Sequence, residues 1–261
     1  MNPILFEFNG FALRYYGLMY ALALLICHPM LKADRPWHGL QRLSDDRLMD
    51  LLIYSFFAGL AGARLYYVAL NGEHYFNSVQ PWWEFLAIWH GGLAIHGALL
   101  AAPLALWGLA KRQGLPFLPL LDLFACQMLL GQAIGRLGNL MNGDAHGLPT
   151  NQPWGLVFPY GPAAYEFPGQ TLHPVMLYES LLCLGGWLVL RSLRKGGFQP
   201  GFFACLYVML YAAIRGFTSQ FRADDLYLAG LKAPYLVSLA GFALALALLL
   251  RFRLYQKRHH S

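Results

Sequence analysis

Long apolar blocks separated by short polar breaks run the length of this chain. A helix that crosses a bilayer needs roughly 20 mainly apolar residues. That ruler predicts seven spans, at residues 11–31, 48–70, 92–110, 117–137, 174–193, 201–221 and 234–252. Only Lys111, Arg112, Gln113, Gly114, Leu115 and Pro116 separate the third from the fourth, a basic hairpin with a Gly and a Pro to stop and restart the helix. No internal repeat or low-complexity tract interrupts the series, so one membrane domain is expected over residues 1–261. The expected fold class is all-α, a polytopic membrane protein with seven transmembrane helices.

Orientation follows from Lys and Arg in the loops. Loop one carries Lys32, Arg35, Arg42 and Arg47; loop three, Lys111 and Arg112; loop five, Arg191, Arg194 and Lys195; the tail, Arg251, Arg253, Lys257 and Arg258. These are 13 of the 19 basic residues, whereas residues 71–91 have no Lys or Arg. The odd loops and the C-terminus are therefore expected to be cytoplasmic and the N-terminus outside, in a multi-pass membrane protein. The outer segment at about 138–173 is rich in Gly, Pro and aromatics, including Trp154, Phe158, Tyr160, Tyr165 and Phe167. Aromatics at that density predict a small ordered outer cap at headgroup level.

Composition agrees with the pattern. Of 261 residues, 57% are hydrophobic and 12% charged, against about 25% charged in soluble domains. So few charges cannot wet a 29.3 kDa surface, which argues against a soluble enzyme, a disordered chain or a nucleic-acid binder. The formal charge of +6 is what the inside bias already supplies. Cys27, Cys126, Cys183 and Cys205 lie in apolar stretches without CxxC or metal-ligand spacing, and read as packing residues. No metal and no cofactor is expected. With no basic n-region before the first apolar run, no removable signal peptide is expected either.

Six basic residues remain outside the cytoplasmic segments: Arg14, Arg64, Arg136, Arg215, Arg222 and Lys232. Ionisable groups within spans are costly and mark functional sites unless they snorkel from a helix end. Lys232 reads as a snorkelling residue, and Arg136 and Arg215 as the strongest functional candidates. The run Gly135-Arg136-Leu137-Gly138-Asn139-Leu140-Met141-Asn142-Gly143-Asp144 puts a guanidinium fork, two carboxamides and exposed amides at one helix end, chemistry that suits a phosphate ester. The same run also reads as a Gly-rich helix cap closed by asparagines. In Trp89-His90-Gly91-Gly92-Leu93-Ala94-Ile95-His96-Gly97, His96 is able to take a proton near neutral pH, while small residues admit either a ligand or a helix. His90 reads as interfacial, and Tyr15 and Tyr20 as membrane anchors. Asp122, and His173-Pro174 followed by Tyr178-Glu179, complete the candidates.

In combination these clusters resemble the prolipoprotein diacylglyceryl transferase family of bacterial inner membranes. The likeness runs from Arg14-Tyr15-Tyr16-Gly17 through Gly62-Ala63-Arg64, His90 to Gly97, Gly135 to Asn142 and His173 to Glu179, to Arg215 and Phe221-Arg222. It implies transfer of diacylglycerol from phosphatidylglycerol, or another anionic phospholipid, to the lipobox cysteine thiol of a prolipoprotein signal peptide, with release of glycerol phosphate. It further implies that Arg136 and Arg215 hold the phosphate, His96 is the base, Tyr16 lines the reaction site, and Asn139 and Asn142 shape the headgroup pocket. Gly97, Gly138, Asp144, Arg222, Glu179, His173 and Arg64 complete the expected substrate-binding set.

The chain departs from the family pattern at Leu140, Asp144, Val175-Met176, Ser219 and Gln220. The family pattern has an acidic residue at the position of Ser219, and its loss is expected to strip Arg215 or Arg222 of a partner. Because the departures are expected to line the site, two other readings stay open. One is a divergent paralogue with a different acceptor; the other is a non-catalytic phospholipid-binding protein.

Overall fold

The computed structural model describes residues 3–8, 11–76, 81–88, 91–223, 227–228 and 230–257. Two units are distinguished, Met1–Gly39 with Asp122–Ser261, and Leu40–Leu121.

In the first unit a hairpin of β1 (Ile4–Phe8) and β2 (Phe11–Arg14) runs directly into α1 (Tyr15–Asp34). Arg14 is exposed where the strand becomes helix. The core lies among three later helices, α5 (Phe117–Asn142), α7 (Val175–Leu193) and α8 (Phe202–Thr218). Leu129 and Ala133 of α5, Cys183 and Leu190 of α7, and Phe203 and Ile214 of α8 pack there. All four cysteines are buried and free. Asp122 accepts from the Gly201 and Ala204 amides at 2.8 and 2.9 Å, so it satisfies amides that a helix start leaves open. This candidate is the cap of α8.

At the far end of these helices, buried Asp34 accepts from Gln127 at 2.8 Å and pairs with Arg191 and Arg194 at 3.2 and 3.3 Å. One carboxylate thereby ties α1, α5 and α7. Between α5 and α7, β3 (Leu156–Val157) pairs antiparallel with β4 (Thr171–Leu172), with α6 (Gly161–Glu166) between them. Phe158, Ala163, Leu172 and Met176 form a small core there. After α8, a 3-10 turn at Ser219–Phe221 and a hairpin of β5 (Tyr227–Leu228) and β6 (Leu231–Lys232) lead into α9 (Ala233–Arg251). These short hairpins modify the expectation of an all-helical chain: the described residues are mostly helical, with three two-stranded ribbons.

The second unit is built on α2 (Asp45–Leu70) and α4 (Ile95–Arg112), with a one-turn α3 (Gly72–Tyr75) after α2. Ser44 caps α2 by accepting from the Arg47 amide at 3.3 Å, and Asp45 and Asp46 follow in its first turn, where acidic groups meet the positive end of the helix dipole. The two helices cross on small residues. A Cβ on Gly62 would lie 2.6 Å from the Gly97 carbonyl oxygen, and one on Gly97 would run into the Gly62 backbone. Only glycine permits that approach.

Among the described residues, six helices are long and apolar enough to cross a membrane: Tyr15–His38, Asp45–Leu70, Phe117–Asn142, Val175–Leu193, Phe202–Phe221 and Ala233–Arg251. The helix expected as the third span, α4, is not among them. Its 18 residues include Pro103 and end in Lys111 and Arg112, which leaves its apolar run short.

Candidate functional site

α5 has 26 residues, about 39 Å of helix at 1.5 Å per residue. That exceeds the roughly 30 Å hydrocarbon thickness, so its last turns reach headgroup depth in a membrane. The helix stops because Gly143 takes the left-handed conformation at φ 69°, and the Gly143 and Asp144 amides both return to the Asn139 carbonyl at 2.9 and 3.3 Å. This is a left-handed helix cap. The reversal turns the Asp144 carboxylate back over the last turn of α5.

That carboxylate gathers three donors. Tyr16 Oη donates to Oδ2 at 2.6 Å, Asn139 Nδ2 to Oδ1 at 2.8 Å and Asn142 Nδ2 to Oδ2 at 3.1 Å. Asn139 Nδ2 also donates to the Tyr16 oxygen. Gly138 makes room for the ring: a Cβ there would sit 3.3 Å from Tyr16 Cδ1. Tyr20 stacks on Tyr16 with ring centroids 6.0 Å apart, so this supposed membrane anchor also braces the site.

Asn139 carries the network to Arg136, which donates to Asn139 Oδ1 at 3.1 Å and to Glu179 Oε1 at 2.6 Å. Glu179 is fully buried, and its other oxygen lies 3.6 Å from Arg222 Nη1. Tyr211 Oη donates to Oε1 at 3.4 Å. Arg215 follows Tyr211 by one turn of α8, hence on the same helix face. A strand-like pairing aligns Arg222: Gly147 bridges to it, Leu148 donates to the Phe221 carbonyl at 2.8 Å and Ala223 to the His146 carbonyl at 3.2 Å. Lys232 Nζ donates to the Ser219 carbonyl, and to that of Arg222 at 2.8 Å. Its ammonium therefore closes the end of α8 and its 3-10 turn, which goes beyond snorkelling.

The remaining candidates are placed elsewhere. His173 pairs through Nδ1 with Tyr178 Oη at 3.1 Å, and Trp154 Nε1 donates to the same hydroxyl at 2.7 Å. In the second unit, buried Arg64 donates to the carbonyls of Phe85 at 2.8 Å, Glu84 at 2.6 Å, Gly91 at 2.5 Å and Gly92 at 3.0 Å. Its guanidinium lies 5.0 Å from the Tyr75 ring centroid. The fork thus organises backbone. Gly97 belongs to the α2–α4 crossing, packed against the Gly62 backbone. His96 falls in the first turn of α4, but its side chain lies outside the described residues, as does His90 altogether. Sequence reading passed over Tyr211; its place four residues before Arg215 was the available signal.

The prolipoprotein diacylglyceryl transferase family model matches residues 3–251. The chain belongs to that family. A phosphatidylglycerol–prolipoprotein diacylglyceryl transferase from Gloeobacter violaceus is 38% identical over 256 residues, covering 93% of this chain and 90% of the relative. The Synechocystis enzyme of the same name is 36% identical over 98% of this chain and 91% of its own length. Its Thermotoga maritima namesake is 36% identical over 91% and 80%.

As a prolipoprotein diacylglyceryl transferase family member, the chain handles its departures locally. Ser219 has no carboxylate, yet Arg222 reaches Glu179 instead, contrary to the expected loss of a partner. Asp144 places its shorter side chain within reach of Tyr16, Asn139 and Asn142. Val175 and Met176 are fully buried and Met176 belongs to the core with Phe158 and Leu172. Those two departures fill space and do not line the site.

Proposed function

We propose that this chain transfers the diacylglyceryl group of phosphatidylglycerol to the lipobox cysteine thiol of a prolipoprotein and releases glycerol phosphate. The observation that carries the reading is the pair of guanidiniums, Arg136 and Arg222, on one fully buried carboxylate beside the Tyr16–Asn139–Asp144 cluster. Glu179 orients both guanidiniums before the lipid arrives, and Arg215 follows Tyr211 on the same face of α8; preorganised guanidinium donors suit a phosphodiester anion.

The thiol, with an ordinary pKa of about 8.5, gives its proton to a base, the role of His96. The thiolate attacks the glyceryl carbon, a C–S bond forms as the C–O bond to phosphate breaks, and the electron pair leaves on the phosphate oxygen. Arg136 and Arg215 take up that charge. Tyr16 lines the reaction site, while Asn139, Asn142 and Asp144 shape the headgroup pocket and Gly138 leaves room for Tyr16. Glu179 orients Arg136 and Arg222, and His173 packs against Phe221, next to Arg222 in the chain. Arg64 and Gly97 serve the fold of the second unit.

The membrane arrangement belongs to the same proposal. α4, shortened at its basic end, is the third of seven spans; the N-terminus and residues 138–173 face the periplasm, and the C-terminus the cytoplasm of an inner membrane. The basic residues on the odd-numbered loops support this orientation. The test is purified protein with phosphatidylglycerol vesicles and a lipobox peptide, read by mass spectrometry. A peptide gaining one diacylglyceryl thioether is expected; unchanged peptide, where another family member modifies it in the same assay, contradicts the assignment.

A further inference from the structure

One turn below Arg136 on α5, and on the same face, stands Gln132; one turn below Tyr211 on α8 stands Tyr207. The two pairs form successive rungs between the helices. In the upper rung Arg136 and Tyr211 both donate to Glu179 Oε1. In the lower one Gln132 Nε2 donates to Tyr207 Oη at 3.1 Å. The Tyr207 and Tyr211 rings lie nearly parallel, 9° apart, with centroids at 6.3 Å, so the rungs are held in register. The lower rung is incomplete. Gln132 Oε1 is buried and has no hydrogen-bond partner among the described residues, a state that costs free energy in a dry interior.

We propose that Gln132 and Tyr207 form the subsite for a hydroxyl of the headgroup glycerol, so that the enzyme selects a phospholipid bearing a neutral polyol. This rests on the reaction proposed above. One helical turn is a rise of about 5.4 Å, comparable to the reach of a three-carbon glycerol chain hanging from a phosphate at Arg136. Whichever way the Gln132 amide is turned, one end meets Tyr207 and the other is open. A hydroxyl satisfies either end, because it both donates and accepts. An ammonium headgroup only donates, and Arg136 and Arg222 repel it. A site built around a substrate hydroxyl discriminates strongly, because the analogue without it leaves the protein group unpaired.

The experiment compares thioether formation from phosphatidylglycerol and from phosphatidylpropanol, which has the same phosphate and acyl chains but no headgroup hydroxyl, at equal vesicle concentrations. Wild-type protein is expected to favour phosphatidylglycerol by at least about tenfold. In Gln132→Leu that ratio is expected to fall toward one, through loss of rate with phosphatidylglycerol. Should Gln132→Leu fail to fold, Tyr207→Phe reads the same ratio, with a smaller fall expected. Equal wild-type rates on the two lipids, or equal losses on both in the variants, overturn the subsite and leave the reaction standing. Absence of product from wild type with either lipid overturns the reaction and the subsite with it.

Discussion

Arg136 on α5 and Glu179 on α7 meet at 2.6 Å, with the carboxylate wholly withdrawn from solvent. Because Arg222 reaches the other oxygen at 3.6 Å, removing the carboxylate takes an ionic partner from two guanidiniums at once. Breaking a buried pair by removing one partner costs about 3–5 kcal/mol. Glu179→Gln is therefore expected to lower the thermal midpoint by several degrees and turnover by at least about tenfold. Thermal unfolding in detergent and thioether formation read the two effects; an unaltered midpoint with full turnover contradicts the role given to Glu179.

Tyr16 owes its position to Gly138 and to Asp144. Gly138→Leu is expected to displace the ring and cut turnover by at least about tenfold, whereas Gly138→Ala, with its Cβ 3.3 Å from Tyr16 Cδ1, has a milder effect. Tyr16→Phe removes the hydroxyl but not the ring, and is expected to lower turnover with little change in unfolding temperature. If Gly138→Leu retains wild-type turnover, the close packing of α1 on α5 is not needed for the site.

Much of this site was legible beforehand. Arg136, Asn139, Asn142 and Asp144 fall within nine residues, and a charged residue at the end of an apolar block is conspicuous because lipid makes it expensive. The cap reading of that run is what the structure shows, with the left-handed Gly143 turning Asp144 onto Tyr16. Ser219 misled for a physical reason: sequence shows which carboxylate is absent, but Glu179 stands in on another helix, 43 residues from Arg222. Arg64 looked like a ligand-binding cation until its four backbone acceptors were visible. The β3–β4 and β5–β6 ribbons went unseen because two-residue strands carry too little alternation to register.

In the second unit, Arg64 and Gly97 distinguish folding from substrate binding. Arg64→Lys keeps the charge but loses the fork that serves four carbonyls, and Gly97→Val drives a side chain into the Gly62 backbone. Both variants are expected to lower the yield of folded protein and its unfolding temperature. KM for phosphatidylglycerol in the surviving molecules is expected to stay within about twofold of wild type, because uniform binding is untouched. A raised KM at an unchanged unfolding temperature would place these residues on the lipid.

Topology is open to direct labelling. All four natural cysteines are buried, and Tyr165 is 92% exposed. In intact spheroplasts, Tyr165→Cys is expected to react with a membrane-impermeant maleimide, and Arg112→Cys only after lysis. The reverse pattern contradicts the orientation set by the basic loops.

The central claim is that the arginine array receives a departing glycerol phosphate as a thioether forms, and product stoichiometry tests it most directly. With headgroup-labelled phosphatidylglycerol and a lipobox peptide, wild-type protein is expected to release one glycerol phosphate per thioether formed, and Arg136→Gln to lower both together by at least about tenfold. Peptide acylated with lysophosphatidylglycerol as the co-product, or labelled glycerol phosphate released without thioether, would contradict the account.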